Sequence, residues 1–446
     1  MTTQLNEKSS KIKQSISLKL LIVVALSLLL LIPSTMVTVL INGRESTKST
    51  AVYEITSKWG LEQTITGPVL LIPYTKKNSN NQSEYRYFHI LPNELTINGE
   101  INPMIKYRGI YKVILYTSKL HISGTYKPED FTDLPDNYEW IDWADAKFIV
   151  GISDVKGLNN IESLNWNDQT LKFLPGSDRC SMFQTGLNAR VTVNANTEYK
   201  FSMDMDINGS EAIYFTPVGN STTITLSSAW KNPSFDGATL PSPSNVTDSG
   251  FTATWKSTEL NRNFPQKLSY DGTSGYFDYQ KSGVKLFQPV DTYQKSTRSV
   301  KYAFLFIILT FLIIFFSEIT GKNRVHPVQY LITGIALVVF YSLLIALAEH
   351  IPFNYSYLIS SVVIISMITI YIRSIFKNNK TTLVVGTLLV LLYAYLFTIL
   401  QIADYALLLG NIGLVIILGL VMFYSKKVDW YGNQNANNNA EIKTEA

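Results

Sequence analysis

The sequence is poor in the residues that most soluble enzymes use for metal and thiol chemistry. Its 446 residues include a single cysteine, Cys180, and four histidines. One cysteine cannot form an intramolecular disulfide or a paired-cysteine metal site, which excludes a disulfide-stapled domain. His89 and His121 lie in strand-like runs, and we expect them to be sheet residues and not metal ligands. The sequence therefore predicts no cofactor and no metal site.

Signatures of soluble enzymes and of nucleic-acid binding are absent as well. The chain contains no G-x-x-x-x-G-K-[ST], H-E-x-x-H, G-x-S-x-G or C-x-x-C motif. Basic residues outnumber acidic ones by only 38 to 34, too small an excess to predict a nucleic-acid surface. These absences favour a protein that is not an enzyme and has no nucleic-acid partner. A membrane-bound hydrolase is a less favoured alternative.

What the sequence does contain is a nearly unbroken apolar block near its C-terminal end. Five segments there are about long enough to cross a hydrocarbon core of roughly 30 Å as helices: residues 302–319, 328–348, 357–372, 383–402 and 406–424. A sixth segment, residues 20–41, lies near the N-terminus. We expect it to be a retained anchor and not a cleaved signal peptide, because residues 33–36 offer no small-residue cleavage site.

The positions of lysine and arginine predict the orientation of the chain. Basic residues precede the first apolar segment and recur in every second short loop and in the tail: Lys8, Lys11, Lys13 and Lys19; Lys322 and Arg324; Arg373, Lys377 and Lys380; Lys426 and Lys427. The loops at 350–355 and 401–404 contain neither Lys nor Arg. By the positive-inside rule, both termini are cytoplasmic and the long middle region is extracytoplasmic. Lys295, Arg298 and Lys301 oppose this pattern, but long translocated domains largely escape the rule.

The middle region has a residue pattern typical of β-structure. Val52, Ile55 and Trp59 predict a short amphipathic helix that ends at Gly60. After it, runs rich in Val, Ile, Tyr, Phe and Thr alternate with turn residues. The candidate strands are residues 69–74, 84–91, 94–100, 105–126, 146–154, 189–193, 198–207, 212–218, 222–228, 250–255 and 284–290. Alternation at residues 112–117 and 201–206 favours antiparallel sheet, and two packed sheets or a sandwich is the fold that we expect.

These observations predict a multi-pass α-helical membrane protein with six transmembrane helices and a large β-rich, sandwich-like extracytoplasmic domain. The predicted domains are a cytoplasmic N-terminus (1–19), a transmembrane anchor (20–41), the β-rich domain (42–301), a five-helix bundle (302–424) and a disordered cytoplasmic tail (425–446).

Ionisable residues near the membrane are the candidates for a functional site, because such groups are costly in lipid. Glu349 and His350 end the third span and Asp404 lies between the fifth and sixth, so all three are expected at the outer face. This polar outer-face cluster could move protons, bind a cation or grip a headgroup; the alternative is three hydrated interfacial residues. Glu318, near the inner end of the second span, is expected to belong to a solvated cytoplasmic cluster.

A second candidate group lies where the middle region joins the second span. Residues 288–301 read QPVDTYQKSTRSVK and connect the last strand to that span. If the domain and the bundle communicate, we expect this segment to transmit the conformational change. Its candidate coupling residues are Asp291, Tyr293, Gln294 and Arg298.

Several stretches together resemble the CreD family of bacterial inner-membrane proteins. They read SLKLLIVVALSLLLLIPSTMV, EITSKWGLEQTITGPVLLIPY, FQPVDTYQKSTRSVKYAFLFIILTF, HPVQYLITGIALVVFYSLLIALAEHIPFNYSYLI, LQIADYALLLGNIGL and KKVDWY. The resemblance implies an envelope-integrity or envelope-stress protein of the inner membrane, associated with a two-component regulon, colicin tolerance and altered response to cell-wall antibiotics. It carries over no catalytic residues. Where the family has a Glu-Asp pair after Leu-Gln, this chain has Ala403 and Asp404.

The leading hypothesis is a non-enzymatic envelope protein whose outer β-domain binds an envelope component while the bundle anchors it. Its expected partners are the lipid bilayer and an envelope protein, glycan or lipid. The alternative is a transporter or lipid-handling permease that uses Glu349, His350 and Asp404.

Overall fold

The computed structural model describes residues 16–135, 137–177, 180, 182–269, 278–286, 292–320, 324–402 and 405–426. Contacts divide the chain into two compact units. The helical unit comprises Met1–Thr47 and Val290–Ala446, and the β-rich unit comprises Lys48–Pro289. The predicted tail beyond Lys426 lies outside the described residues.

The described helices are α1 (Ile16–Leu29), α2 (Leu31–Trp59), α3 (Thr292–Lys301), α4 (Ala303–Thr320), α5 (Pro327–Ala348), α6 (Phe353–Phe376), α7 (Asn379–Gln401) and α8 (Ala406–Ser425). Among the described residues, four stretches are long and apolar enough to cross a membrane: Leu18–Trp59, α5, α6 and α7. Helices α3 and α4 are bent by 46° and add a fifth if they count as one span, whereas the apolar part of α8, Leu408–Phe423, is shorter. Each predicted segment is thus largely helical, but a count of six spans is not confirmed.

The N-terminal helices pack into the bundle along one stripe of side chains. The buried members of that stripe follow a spacing of four and three residues: Val23, Ser27, Leu30, Ser34, Val37 and Ile41. Helix α1 ends just before Leu30, because Pro33 has no N–H to bond the carbonyl of Leu29. Leu30 lies against Gly334 of α5, where a Cβ atom would come within 2.1 Å of Leu30 Cδ1. The first apolar segment is therefore an integral part of the helical unit.

Replacing Gly334 with valine is expected to lower the free energy of unfolding by about 1–3 kcal/mol, because the new side chain would overlap both Leu30 and Phe311. Gly419→Val is the matched control, since nothing lies within 4 Å of a Cβ atom at Gly419. Thermal unfolding of the detergent-purified protein measures both variants. Equal melting temperatures for the two would contradict the packing described here.

The predicted short amphipathic helix is not a separate element. Val52, Ile55 and Trp59 belong to α2, which is unbroken from Leu31 to Trp59. The predicted stop is confirmed: Gly60 follows with φ of +145°, a conformation that favours glycine.

The β-rich unit contains nineteen described strands. They are β1 (Gln63–Lys77), β2 (Ser83–Ile90), β3 (Glu94–Arg108), β4 (Tyr111–Tyr126), β5 (Trp140–Ile141), β6 (Ala146–Ile152), β7 (Leu158–Ile161), β8 (Leu164–Trp166), β9 (Gln169–Leu171), β10 (Leu174–Pro175), β11 (Gly186–Val191), β12 (Tyr199–Ser210), β13 (Ala212–Thr216), β14 (Ser221–Ser228), β15 (Pro233–Gly237), β16 (Ser244–Thr247), β17 (Gly250–Thr258), β18 (Lys267–Ser269) and β19 (Ser282–Leu286).

These strands form two sheets. The ten-stranded sheet runs β10-β11-β6-β1-β13-β19-β15, with β2 and β5 paired to β1 and β18 paired to β2. The nine-stranded sheet runs β16-β17-β14-β3-β4-β12-β8-β9, with β7 paired to β12. Most pairs are antiparallel as predicted, but β1 pairs with β13 and β14 with β3 in parallel. The two sheets meet through aromatic rings. The centroid of the Phe148 ring, on β6, lies 5.1 Å from that of Phe201 on β12 and 5.9 Å from that of Trp166 on β8.

The single strand predicted over residues 105–126 is wrong. Strand β3 continues to Arg108, the chain turns at Gly109 and Ile110, and β4 begins at Tyr111. Gly109 adopts φ of +59°, the left-handed conformation that a two-residue hairpin turn needs. The segment therefore forms most of a long β-hairpin.

His89 lies on β2, as expected of a sheet residue, and its side chain is buried in the β-rich unit. Burial lowers the pKa of its imidazole from 6.5 to about 4, and hydrogen bonds with the backbone of Leu268 and Tyr87 oppose part of the shift. The imidazole is therefore neutral in the folded protein at neutral pH.

The stability of the β-rich unit is expected to fall as the pH is lowered from 6.5 to 4. Because the folded-state pKa of His89 lies below the unfolded value, the unfolded chain binds the proton first, which costs roughly 3 kcal/mol of stability at pH 4. Tryptophan fluorescence reports this unfolding, since every tryptophan except Trp430 lies between Lys48 and Pro289. His89→Phe should be less sensitive to pH in this window; an unchanged pH dependence would show that another group is responsible.

Candidate functional site

Glu349 caps the C-terminal end of α5 and is nearly buried. Its side chain is only 9% exposed. The hydroxyl of Tyr293, on α3, donates a hydrogen bond to Glu349 Oε1 at 3.1 Å. Nε of Arg44, on α2, lies 3.7 Å from the same oxygen. One carboxylate thus holds a phenol and a guanidinium from two other helices.

The amphipathic character of α3 explains why Tyr293 reaches this carboxylate. Tyr293, Ser296 and Val300 are buried and lie at i, i+3 and i+7, which is one face of a helix. Gln294 and Arg298 are exposed on the other side. The packed face of α3 therefore aims Tyr293 at the end of α5.

Further polar contacts surround this end of the bundle. Nζ of Lys295 donates a hydrogen bond to Gln401 Oε1 at 2.9 Å and lies 5.5 Å above the Phe353 ring. Gln401 Nε2 in turn donates to Asn354 Oδ1 at 2.5 Å. This network joins α3, the start of α6 and the end of α7. We call it, together with Arg44, Tyr293 and Glu349, the Glu349 network.

The structure brings together only part of the predicted site. Glu349 and Tyr293, predicted in two separate groups, are in direct contact. His350 is exposed, and no side-chain bond joins it to Glu349. Asp404 and Asp291 lie outside the described residues. In the described part of the chain, no hydrogen bond or ion pair joins Gln294 or Arg298 to Glu349.

Sequence reasoning missed four members of the network: Arg44, Lys295, Asn354 and Gln401. Arg44 is the first basic residue after the first apolar segment, and Glu349 directly follows the third. The two residues have opposite charges, and both follow a span predicted to end at the outer face. The sequence could therefore have predicted that they pair. The amide pair of Asn354 and Gln401 carried no such signal, since both residues are common in loops.

Glu318, at the other end of the bundle, is not the solvated residue that we expected. Its side chain is 6% exposed and forms an ion pair with Lys19 of α1. The backbone N–H of Val325 donates to Glu318 Oε1 at 3.0 Å, and the hydroxyl of Tyr330 donates to Oε2 at 3.1 Å. The expectation failed because α1 packs beside α4 and the chain folds back from α4 into α5, which together cover the carboxylate. Arg324 is exposed, as predicted for that loop.

Comparison with known proteins supports the family resemblance directly. A sequence model of the family described as "Inner membrane protein CreD" matches residues 15–431. The chain belongs to the CreD family. A curated relative, inner membrane protein CreD of Escherichia coli (strain K12), is 30% identical over 415 residues, which is 91% of each chain. This CreD-family member is accordingly an inner-membrane protein with a β-rich unit.

Solved structures add no functional information. The M1 zinc metallopeptidase from Deinococcus radiodurans matches 43% of this chain and 41% of its own length, with a TM-score of 0.21 and 7% identity. A mutant of that enzyme bound to a Tyr-Ser-Ala substrate gives the same TM-score at 8% identity. A TM-score this low indicates neither a shared fold nor a shared activity. Within the described residues, no group of three His, Cys, Asp or Glu side chains could hold a metal ion.

Lys19→Met is expected to destabilise the CreD-family protein by about 3–5 kcal/mol, because it leaves the buried Glu318 carboxylate without its cation. The double variant Lys19→Met, Glu318→Gln should recover most of this loss, since the glutamine oxygen can accept from the N–H of Val325 and its NH₂ group can donate to the hydroxyl oxygen of Tyr330. Unfolding by SDS titration in mixed micelles measures all three proteins. Arg324→Met controls for loss of an exposed charge nearby. A double variant as unstable as Lys19→Met alone would contradict the ion-pair account.

Proposed function

We propose that this CreD-family protein protects the cell envelope from within the inner membrane and does so without catalysing a reaction. Its β-rich domain lies on the periplasmic side and binds an envelope protein, glycan or lipid. The helical bundle anchors this domain and responds to its state. Family membership, a large β-rich unit and a set of apolar helices support this function.

The proposed coupling rests on the position of Glu349, which contacts both of the helices that connect the bundle to the β-rich unit. Arg44 is on the helix that leads into the β-rich unit, and Tyr293 is on the first helix after it. Both side chains bind the same carboxylate oxygen. A change that moves either helix must therefore lengthen or break a contact with Glu349, which gives the bundle a way to register that change.

The proposed orientation places both termini in the cytoplasm. The exposed Arg324 and the Lys19–Glu318 pair would then lie at the cytoplasmic end of the bundle, and the Glu349 network at the periplasmic end. Arg44 is a basic residue on the less favoured side, but its charge faces Glu349 at 3.7 Å. Local pairing of this kind reduces the cost of leaving a cation there.

Glu349→Gln and Tyr293→Phe are expected to weaken protection in a bacterial strain that lacks its own copy of the gene. Both changes keep the size of the side chain but remove either the negative charge or the hydroxyl donor of the Tyr293–Glu349 contact. Growth under detergent and β-lactam stress measures protection, with membrane levels checked by immunoblot. Glu45→Gln, an exposed carboxylate next to Arg44 on α2, is the matched control and should protect fully.

A companion variant tests the β-rich domain itself. Replacing residues 62–286 with a short flexible linker should abolish protection although the protein still reaches the membrane. If this variant protects normally, the proposed function is wrong. If it fails while Glu349→Gln protects fully, the domain acts without the Glu349 network and only the coupling step is wrong.

A transporter or lipid-handling permease is the alternative, because Glu318 and Glu349 place a nearly buried carboxylate at each end of the helical unit. The alternative makes the opposite prediction for the deletion alone. Protein without residues 62–286 would still protect, whereas Glu349→Gln would lose protection under either hypothesis.

A further inference from the structure

The hairpin of β3 and β4 ends in a segment with an unusual set of exposed side chains. Ile105, Tyr107 and Ile110 are 45%, 61% and 41% exposed. Basic residues lie between and beside them, at Lys106, Arg108 and Lys112, and residues 104–112 contain no Asp or Glu. We call residues 104–112 the hairpin tip.

The apolar residues of the tip continue a stripe that begins in the core. In the body of β3 the buried side chains occupy odd positions, including Leu95, Ile97 and Ile101. Because side chains alternate along a strand, Ile105 and Tyr107 lie on that same face. They are exposed because β3 and β4 run on beyond the part of the sandwich where the sheets cover each other.

The hairpin also contacts α2 through polar groups. Arg108 donates two hydrogen bonds to Glu54, at 2.8 and 3.1 Å. Farther along α2, the indole N–H of Trp59 donates to the carbonyl of Tyr116 at 3.2 Å. Trp59 thus contacts the body of the hairpin, and Glu54, which is nearer to Lys48 on α2, contacts its tip. The tip therefore points toward the end of the β-rich unit where α2 enters it.

The chain also leaves the β-rich unit close to the tip end of this hairpin. One surface groove of about 240 Å³ is lined by residues of the entering helix, of β4 and of β19, among them Lys48, Val52, Lys112, Val113, Lys285 and Leu286. From Leu286 to the first residue of α3, Thr292, even a fully extended chain spans only roughly 20 Å. The hairpin tip therefore lies at the end of the β-rich unit where the chain both enters and leaves it.

The chemistry of the tip matches the headgroup region of a bilayer. A tyrosine ring is stable there because it has an apolar body and a polar edge. Exposed aliphatic side chains remove apolar surface from water by inserting, and lysines nearby attract anionic lipid phosphates. A soluble protein partner would need a groove that is both acidic and apolar, whereas the helices joined to this end of the unit lie in a bilayer, which supplies apolar and anionic groups together.

We propose that the hairpin tip docks onto the lipid surface, with Ile105, Tyr107 and Ile110 in the headgroup region and Lys106 and Lys112 against anionic phosphates. The contact would hold the β-rich unit in one orientation to the membrane. It does not depend on the function proposed above, and it holds on either side of the membrane.

A fluorophore attached to Ile110→Cys in the full-length protein tests the proposal. The protein is placed in nanodiscs of phosphatidylethanolamine and phosphatidylglycerol, and NBD emission is measured with a doxyl-labelled lipid or with aqueous iodide as quencher. The native Cys180 is buried, and burial raises the pKa of its thiol to about 12, so it reacts slowly. Unsubstituted protein labelled in the same way gives the remaining background.

Leu260→Cys supplies the matched control. Leu260 is 94% exposed and lies by the opposite end of β3, since Glu259 bonds Asn220 and the neighbouring Ser221 bonds Asn93. NBD at position 110 should be blue-shifted, protected from iodide and quenched by doxyl lipid, and NBD at position 260 should show the reverse. Equal iodide quenching at the two positions would overturn the proposal. So would protection at position 110 without doxyl quenching, because a protein surface would then cover the tip.

The lysines are tested separately. Lys106→Gln and Lys112→Gln together should reduce doxyl quenching at position 110 in discs that contain phosphatidylglycerol, and discs of phosphatidylcholine alone should reduce it likewise. Unchanged quenching in both cases would show that anionic phosphates are not what the tip binds.

Discussion

A carboxylate at the end of an apolar helix bundle needs partners, because removing an unpaired charge from water is costly. Glu318 and Glu349 both obtain their partners from other helices. In each case the cation comes from the N-terminal helices: Lys19 pairs with Glu318 and Arg44 with Glu349. A tyrosine hydroxyl, from Tyr330 or Tyr293, completes each site. The contacts that pair each buried carboxylate therefore also hold the helices next to one another.

This pairing changes the role of the first apolar segment. A simple anchor needs only to be apolar, whereas this segment has a buried stripe from Val23 to Ile41 and an ion pair beyond each end of that stripe. Gly334 lets Leu30 approach α5 closely, as small residues commonly do between membrane helices. The first segment is thus a structural member of the bundle. Displacing α2 would disturb the Glu349 network directly.

The β-rich unit is held together by a different kind of force. Its two sheets bury aliphatic and aromatic side chains between them, with Phe148, Trp166 and Phe201 in mutual ring contact. The hairpin of β3 and β4 is longer than this core requires. Its outer end keeps the alternating pattern of a core strand without a sheet to cover it, and Arg108 fastens it to Glu54 of α2. An exposed apolar surface that is retained at such a position favours a contact with something outside the unit.

The sequence by itself determined the features that depend on neighbouring residues. Runs of apolar residues identified the segments that form the apolar helices of the described chain, since a chain in lipid must satisfy its backbone bonds locally. Alternation identified the long strands, and Gly60 marked the end of α2. Short strands such as β5 and β10, each of two residues, were missed because they are too short to show a period. The turn at Gly109 was missed because strand-like residues continue on both sides of it. Only tertiary structure decided which distant groups meet: Lys19 and Glu318 are 299 positions apart, and no local pattern links them. The burial of Glu318, the union of Tyr293 with Glu349 and the exposure of the hairpin tip all follow from packing between remote elements, which hydropathy and spacing do not encode.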